Sequence, residues 1–114
     1  MRLGKVILDF HAEYPENVIL IAGITLSPTD KKSDWPGWVW CVHDSGVECW
    51  VPQVFLDLRG EKTLLVKDYN AKELTVTVGQ QIALEDSVAG WYWCLNQAGE
   101  EGWVPQKHIE IIIE

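Results

Sequence analysis

Cys41, His43 and Cys49 stand within nine residues of one another. Two thiols and an imidazole at that spacing are potential metal ligands. A tetrahedral site needs a fourth ligand, and none is evident. A related stretch further along has Leu95, Asn96 and Gly102 nearby, so no metal site is assigned. Single histidines and scattered acids give no nucleophile–base pair at a readable spacing, and no glycine-rich loop cradles phosphate. The sequence indicates no enzyme and no cofactor. The chemistry that remains is aromatic, with seven tryptophans among 114 residues. Flat rings stack on apolar partners or hold cations over their faces.

Charge narrows the partners. The net charge is −8, and phosphate binding needs a basic surface that releases counterions, so nucleic acid is excluded. Four basic and eight acidic residues lie up to Leu58, and five and nine follow from Arg59 onward. Neither half is basic, and an anionic membrane is excluded for the same reason. The opening "MRLGKVILDFH" has an apolar run of only "VIL" before Asp9, too short for a signal-peptide core or a span. Three cysteines imply no closed disulfide framework. A Cys41–Cys49 bridge across a hairpin stays open, and a cytoplasmic protein is expected.

The rings sit in a repeat. "GWVWCVHDSGVECWVPQ" at Gly37 to Gln53 returns as "GWYWCLNQAGEEGWVPQ" at Gly90 to Gln106, with an offset of 53. Upstream, Gly23 pairs with Gly79 at an offset of 56, and Asp9-Phe10 with Asp68-Tyr69 at 59. The two losses of three residues are what insertions in surface loops produce. Each copy reads as strands. "LTVTVG" alternates Leu74, Val76 and Val78 with threonines, and each tryptophan-rich stretch is a hairpin around a polar, glycine-containing turn. Short strands joined by turn residues make a small all-β barrel or sandwich.

The order of these features resembles the Src-homology-3 (SH3) domain, twice over, in a tandem protein of bacterial type. Copy one offers "VILDF", Gly23, "WVWC", "CWVP" and "VFLDL"; copy two offers "LVKDY", Gly79, "WYWC", "GWVP" and "KHIEI". The resemblance implies two five-stranded barrels in tandem and closely packed, residues 1–58 and 63–114, joined by a linker at 59–62. Positions that the family buries fall at Val6, Val18, Leu20, Leu26, Cys41, Val51 and Leu56. In copy two they are Leu65, Leu74, Val76, Ile82, Cys94, Val104 and Ile109. All are apolar. Trp40, Trp50, Trp93 and Trp103 read as packing residues.

SH3 domains resembling these bind extended, proline-containing peptides in an aromatic groove. The resemblance places that groove in copy one on Leu8, Phe10, Trp38, Pro52 and Phe55. Glu13 and Glu16 lie at its edge, either in a solvated loop or steering a basic ligand. Copy two retains Tyr69, Trp91 and Pro105, but Lys67 and His108 replace two groove residues, so it reads as the weaker groove and a structural partner. The link "RGEK" is shorter than a flexible tether and fixes the two units side by side. In "IEIIIE" the isoleucines Ile111, Ile112 and Ile113 exceed what one strand face buries, which implies that this strand covers the first unit or pairs in a homodimer. The expected function is a non-enzymatic interaction module for a protein or peptide partner. A structural protein with both grooves closed, and an aromatic cage for a cationic group, remain alternatives.

Overall fold

The computed structural model describes residues 2–113. The protein is all-β and divides into two compact units, but these are not the two sequence copies. Asn17–Ala71 forms one, here the continuous unit; residues through Glu16 and from Lys72 onward form the other, the split unit. The expected division at 59–62 is not where the units part.

The reason lies in the link. Strand β6 (Leu56–Arg59) and strand β7 (Lys62–Leu65) pair antiparallel, with Arg59 opposite Lys62 and Leu56 opposite Leu65. Gly60 and Glu61 are the whole turn, and Gly60 takes φ 65°, a left-handed conformation that glycine adopts without steric cost. A turn this tight returns the chain alongside the strand it has just left. The seat beside the closing strand of copy one therefore goes to the opening strand of copy two. "RGEK" is a hairpin turn rather than a linker.

The rest of the continuous unit follows. Strands β3 (Thr25–Pro28), β4 (Trp38–Val42) and β5 (Glu48–Pro52) complete a sheet in the order β5-β4-β3-β7-β6. A short ribbon pairs β2 (Ile19–Leu20) with β8 (Tyr69–Asn70), Leu20 opposite Tyr69.

The split unit repeats the plan. Strand β1 (Arg2–Val6) lies between β9 (Gln81–Val88) and β12 (Ile109–Ile113), and β10 (Trp91–Leu95) and β11 (Glu101–Pro105) extend the sheet in the order β11-β10-β9-β1-β12. Val6 is opposite Ile109 and Gly4 opposite Ile82. The isoleucine-rich strand thus pairs with the opening strand of copy one. Ile109 is buried and Ile111 partly so, while Ile112 and Ile113 stay exposed.

Matched anchors mark the exchange. The Val78 N–H donates to Asp9 Oδ1 at 2.7 Å, and the Ala22 N–H to Asp68 Oδ1 at 2.8 Å. The Gly79 N–H donates to the Val6 carbonyl and the Gly23 N–H to that of Leu65. Each opening strand is therefore bound to the body of the other copy.

Val6 packs with Leu74, Val76, Ile82, Leu84, Tyr92, Cys94, Val104 and Ile109 in one core. Of the fourteen expected core positions, only Val18 and Leu56 are half-buried rather than buried. Trp40 meets Trp50, and Trp93 meets Trp103, edge to face across the two long hairpins, with ring centroids 5.1 and 5.3 Å apart. These four rings are packing residues.

The exchange is testable by cross-linking. Lys5 faces Glu110 across β1 and β12, whereas barrels without exchange would set Lys5 against Asp57, which instead faces Leu64. A Lys5→Cys/Glu110→Cys variant is expected to form an intrachain disulfide under mild oxidation, and Lys5→Cys/Asp57→Cys is not. Gel mobility without reductant distinguishes them.

Candidate functional site

In the split unit the chain runs from β1 to Phe10, which bridges Val76. The Phe10 ring meets Trp91 and His108 edge to face, both at 5.5 Å between centroids. His108 Nδ1 lies 3.2 Å from the Leu8 carbonyl and 3.1 Å from that of Asp9. Trp91 stands opposite Pro105 across the hairpin, and both are buried, Trp91 with only 6% exposure. Beyond Phe10 the Glu73 carboxylate accepts the N–H groups of Glu13 and Tyr14, at 2.8 and 3.3 Å. Burial pushes the Glu73 carboxyl up from its ordinary range, these two bonds pull it back, and the charge of Glu13 raises it again. Between β9 and β10 the chain turns on Ala89 and Gly90 alone, with φ 47° and 84°, the two-residue turn that suits a twisted hairpin.

The continuous unit builds the same place differently. Tyr69 donates its hydroxyl to the Trp50 carbonyl at 2.6 Å and meets Phe55 edge to face at 5.7 Å. The Lys67 ammonium sits 5.2 Å from the Phe55 ring centre. Trp38 opens β4 opposite buried Pro52 and is half-exposed, unlike Trp91. A nine-residue loop, Thr29 to Gly37, replaces the tight turn and leads into Trp38. From it Lys31 lays its ammonium 3.7 Å over Trp40 and 5.5 Å from Trp50. The Trp40 N–H donates to Glu48 at 2.7 Å. The clustered rings here hold a cation of the chain's own.

The copy-one groove read from the sequence is therefore divided. Leu8, Phe10, Glu13 and Glu16 belong to the split unit, where Leu8 and Phe10 are gathered with Trp91 and His108, near Pro105. Trp38, Pro52 and Phe55 belong to the continuous unit with Tyr69 and Lys67. Lys67 and Glu73 were not assigned to these places. The signal that could have found them is the four-residue link, too short for anything but a hairpin.

The exchange also redistributes charge. The split unit has four basic and ten acidic residues, net −6, and the continuous unit five and seven, net −2. Glu13 and Glu73 meet on the arm beyond Phe10 in the split unit, and Lys67 sits over Phe55 in the continuous one.

Both sheets share one strand order, five antiparallel strands with the closing strand beside an opening strand. A variant SH3 domain is found at residues 64–112. Neither the curated proteins nor the solved structures include a match. The SH3 match crosses the boundary between the units: residues 64–71 lie in the continuous unit and 72–112 in the split one. The all-β architecture fits an SH3-like domain at the matched residues, and SH3 domains are typically protein-interaction modules. No helix among the described residues is long and apolar enough to cross a membrane.

Cys41 and Cys49 face each other on β4 and β5, both buried and unbridged, and Cys94 is buried in the other core. Burial pushes the Cys41 thiol up to about 11. Cys49 rises to about 12 through burial and the Cys41 charge, and Cys94 to about 12 through burial and Glu85. Thiol reagents at neutral pH are expected to label native protein slowly and unfolded protein at once. Raised thiol values mean that the native state holds its protons longer than the unfolded chain. Stability is then full below the ordinary thiol range, about pH 9, and falls as pH rises toward 11 to 12. Denaturant midpoints between pH 8 and 11 check the sign.

A second expectation concerns Glu73. Glu73→Ala removes the acceptor of two N–H groups and should cost about 1–2 kcal/mol. Glu73→Gln keeps an acceptor oxygen without the buried charge and should cost less. Thermal melts of both variants test this.

Proposed function

We propose that the chain is a non-enzymatic protein-interaction protein made of two SH3-type units that exchange opening strands, and that it takes an extended, proline-containing segment at Trp38 of the continuous unit. The carrying observation is the contrast between Trp38, half-exposed beside Pro52 and next to a long loop, and Trp91, buried after a two-residue turn. A partly exposed indole can stack on a proline.

A second reading rests on burial. Tyr69 and Phe55 are only 5% and 9% exposed, so most rings around Trp38 serve the core. In the structural alternative Trp38 joins them and no groove is displayed.

Titration with a library of proline-rich peptides separates the readings. Trp38→Ala is expected to weaken binding by about 2 kcal/mol or more, the typical loss of an aromatic anchor. Trp91→Ala should leave affinity within a few-fold while lowering stability. Binding that survives Trp38→Ala, or no binding by wild type, removes the groove reading.

A further inference from the structure

The two units share a backbone plan, so each position of one has a counterpart in the other that shows what the fold itself requires. The returning arm "VILIAG" of the continuous unit corresponds to "LTVTVG" of the split unit. Val18 and Leu20 match Leu74 and Val76, the inward residues. The outward residues differ in kind: Ile19, Ile21 and Ile24 stand where the split unit has Thr75, Thr77 and Gln80. Across from them, Val47 in the turn after β4 stands where the split unit has Glu100. Four aligned surface positions are polar in one unit and apolar in the other.

These four residues line one groove of about 390 Å³ together with His43 and Ser45, whose side chains bond to each other at 2.9 Å. Ile19 and Ile21 remain 66% and 57% exposed. The fold does not need them there, because threonines serve in the split unit.

Beside the groove runs a strand edge. Among the described residues β2 has a neighbour on one side only, β8. Leu20 pairs with Tyr69, and the Ala71 N–H donates to the Val18 carbonyl. In an antiparallel ladder alternate residues direct their backbone groups to opposite sides, so the N–H and C=O of Ile19 point away from β8. A free edge next to exposed isoleucines is a template for another strand.

We infer that this edge and groove form a docking surface for an extended segment of a partner protein, which adds as a strand to β2 and seats alternate apolar side chains against Ile19, Ile21, Ile24 and Val47. Backbone pairing explains the edge, and alternation explains the spacing of Ile19 and Ile21, with Ile24 added beyond the turn at Ala22 and Gly23. Exposed Asp44 and Glu48, next in the chain to the groove residues His43, Ser45 and Val47, favour a segment with basic residues on its outer face, and the net charge of −8 opposes a second copy of this chain. The surface is independent of the Trp38 site.

The probe is a blocked peptide of alternating valine and lysine, titrated into the intact protein and followed by backbone amide NMR. Saturable shifts are expected at Ile19, Ile21, Ile24 and Val47. Ile19→Thr/Ile21→Thr installs residues that the same backbone already carries in the split unit, and its own amide spectrum verifies the fold. It should weaken binding at least about tenfold, as should N-methylation of the peptide amides that face β2. Shifts confined to Trp38 or Phe10, or affinity unchanged by either modification, overturn the inference. Sedimentation showing a dimer that the double variant abolishes overturns the choice of occupant, because the surface then serves a second copy.

Discussion

A two-residue turn decides which strands meet in this protein. Gly60 and Glu61 leave β7 no place except beside β6. Each unit has an opening strand beside its closing strand, and in the continuous unit that seat is filled by the first strand to come out of the turn. Copy one's own opening strand is left without it, and the equivalent seat beside β12 is the one it takes. The hydrogen bonds of Asp9 and Asp68, the composition of both cores and the grouping of the aromatic residues all follow from this pairing.

Because the copies are related, the exchange costs little in packing. Val6 and Leu65 are both fully buried in the bodies that they complete. Divergence is visible where a body has been adjusted. Cys49 stands opposite Cys41, but its counterpart Gly102 stands opposite Cys94. A Cβ on Gly102 would come within 2.7 Å of the Leu74 backbone nitrogen, so the arm returning from Lys72 lies tight against β11. The split unit thus binds its returning arm by backbone contact, the Leu74 N–H donating to the Trp103 carbonyl and the Trp103 N–H to that of Lys72.

Much of this fold is legible in the sequence. The strands, both long hairpins and twelve of fourteen core positions follow from alternation, turn residues and the internal repeat. Periodicity reports which face of a strand is buried, but not which neighbour buries it. Val6 is equally apolar whether it packs on Val51 or on Val104, so the pattern is blind to exchange. The site suffered for the same reason. Membership of one copy groups Phe10 with Trp38 in the sequence, whereas the hairpin at Gly60 and Glu61 goes with their lying in different units. Burial of Trp91 was hidden as well, because it depends on what surrounds the ring rather than on the motif that contains it.

The same strand pairing is closed over very different lengths of chain. Leu56 meets Leu65 nine residues away, while the corresponding contact, Val6 with Ile109, spans 103. Loop-closure entropy makes the long contact harder to form by about 2 kcal/mol, since the cost grows as 1.5 RT times the logarithm of the length. The connectivity thereby favours early formation of the continuous unit. Once it has formed, the Ala71 N–H is bonded to the Val18 carbonyl, so the stubs that lead to Glu16 and Lys72 emerge side by side. A folded insert of 55 residues, Asn17–Ala71, then behaves as a short staple for the unit it interrupts. Pulse-labelled hydrogen exchange during refolding would see amides of β6 and β7 protected ahead of those of β1 and β12.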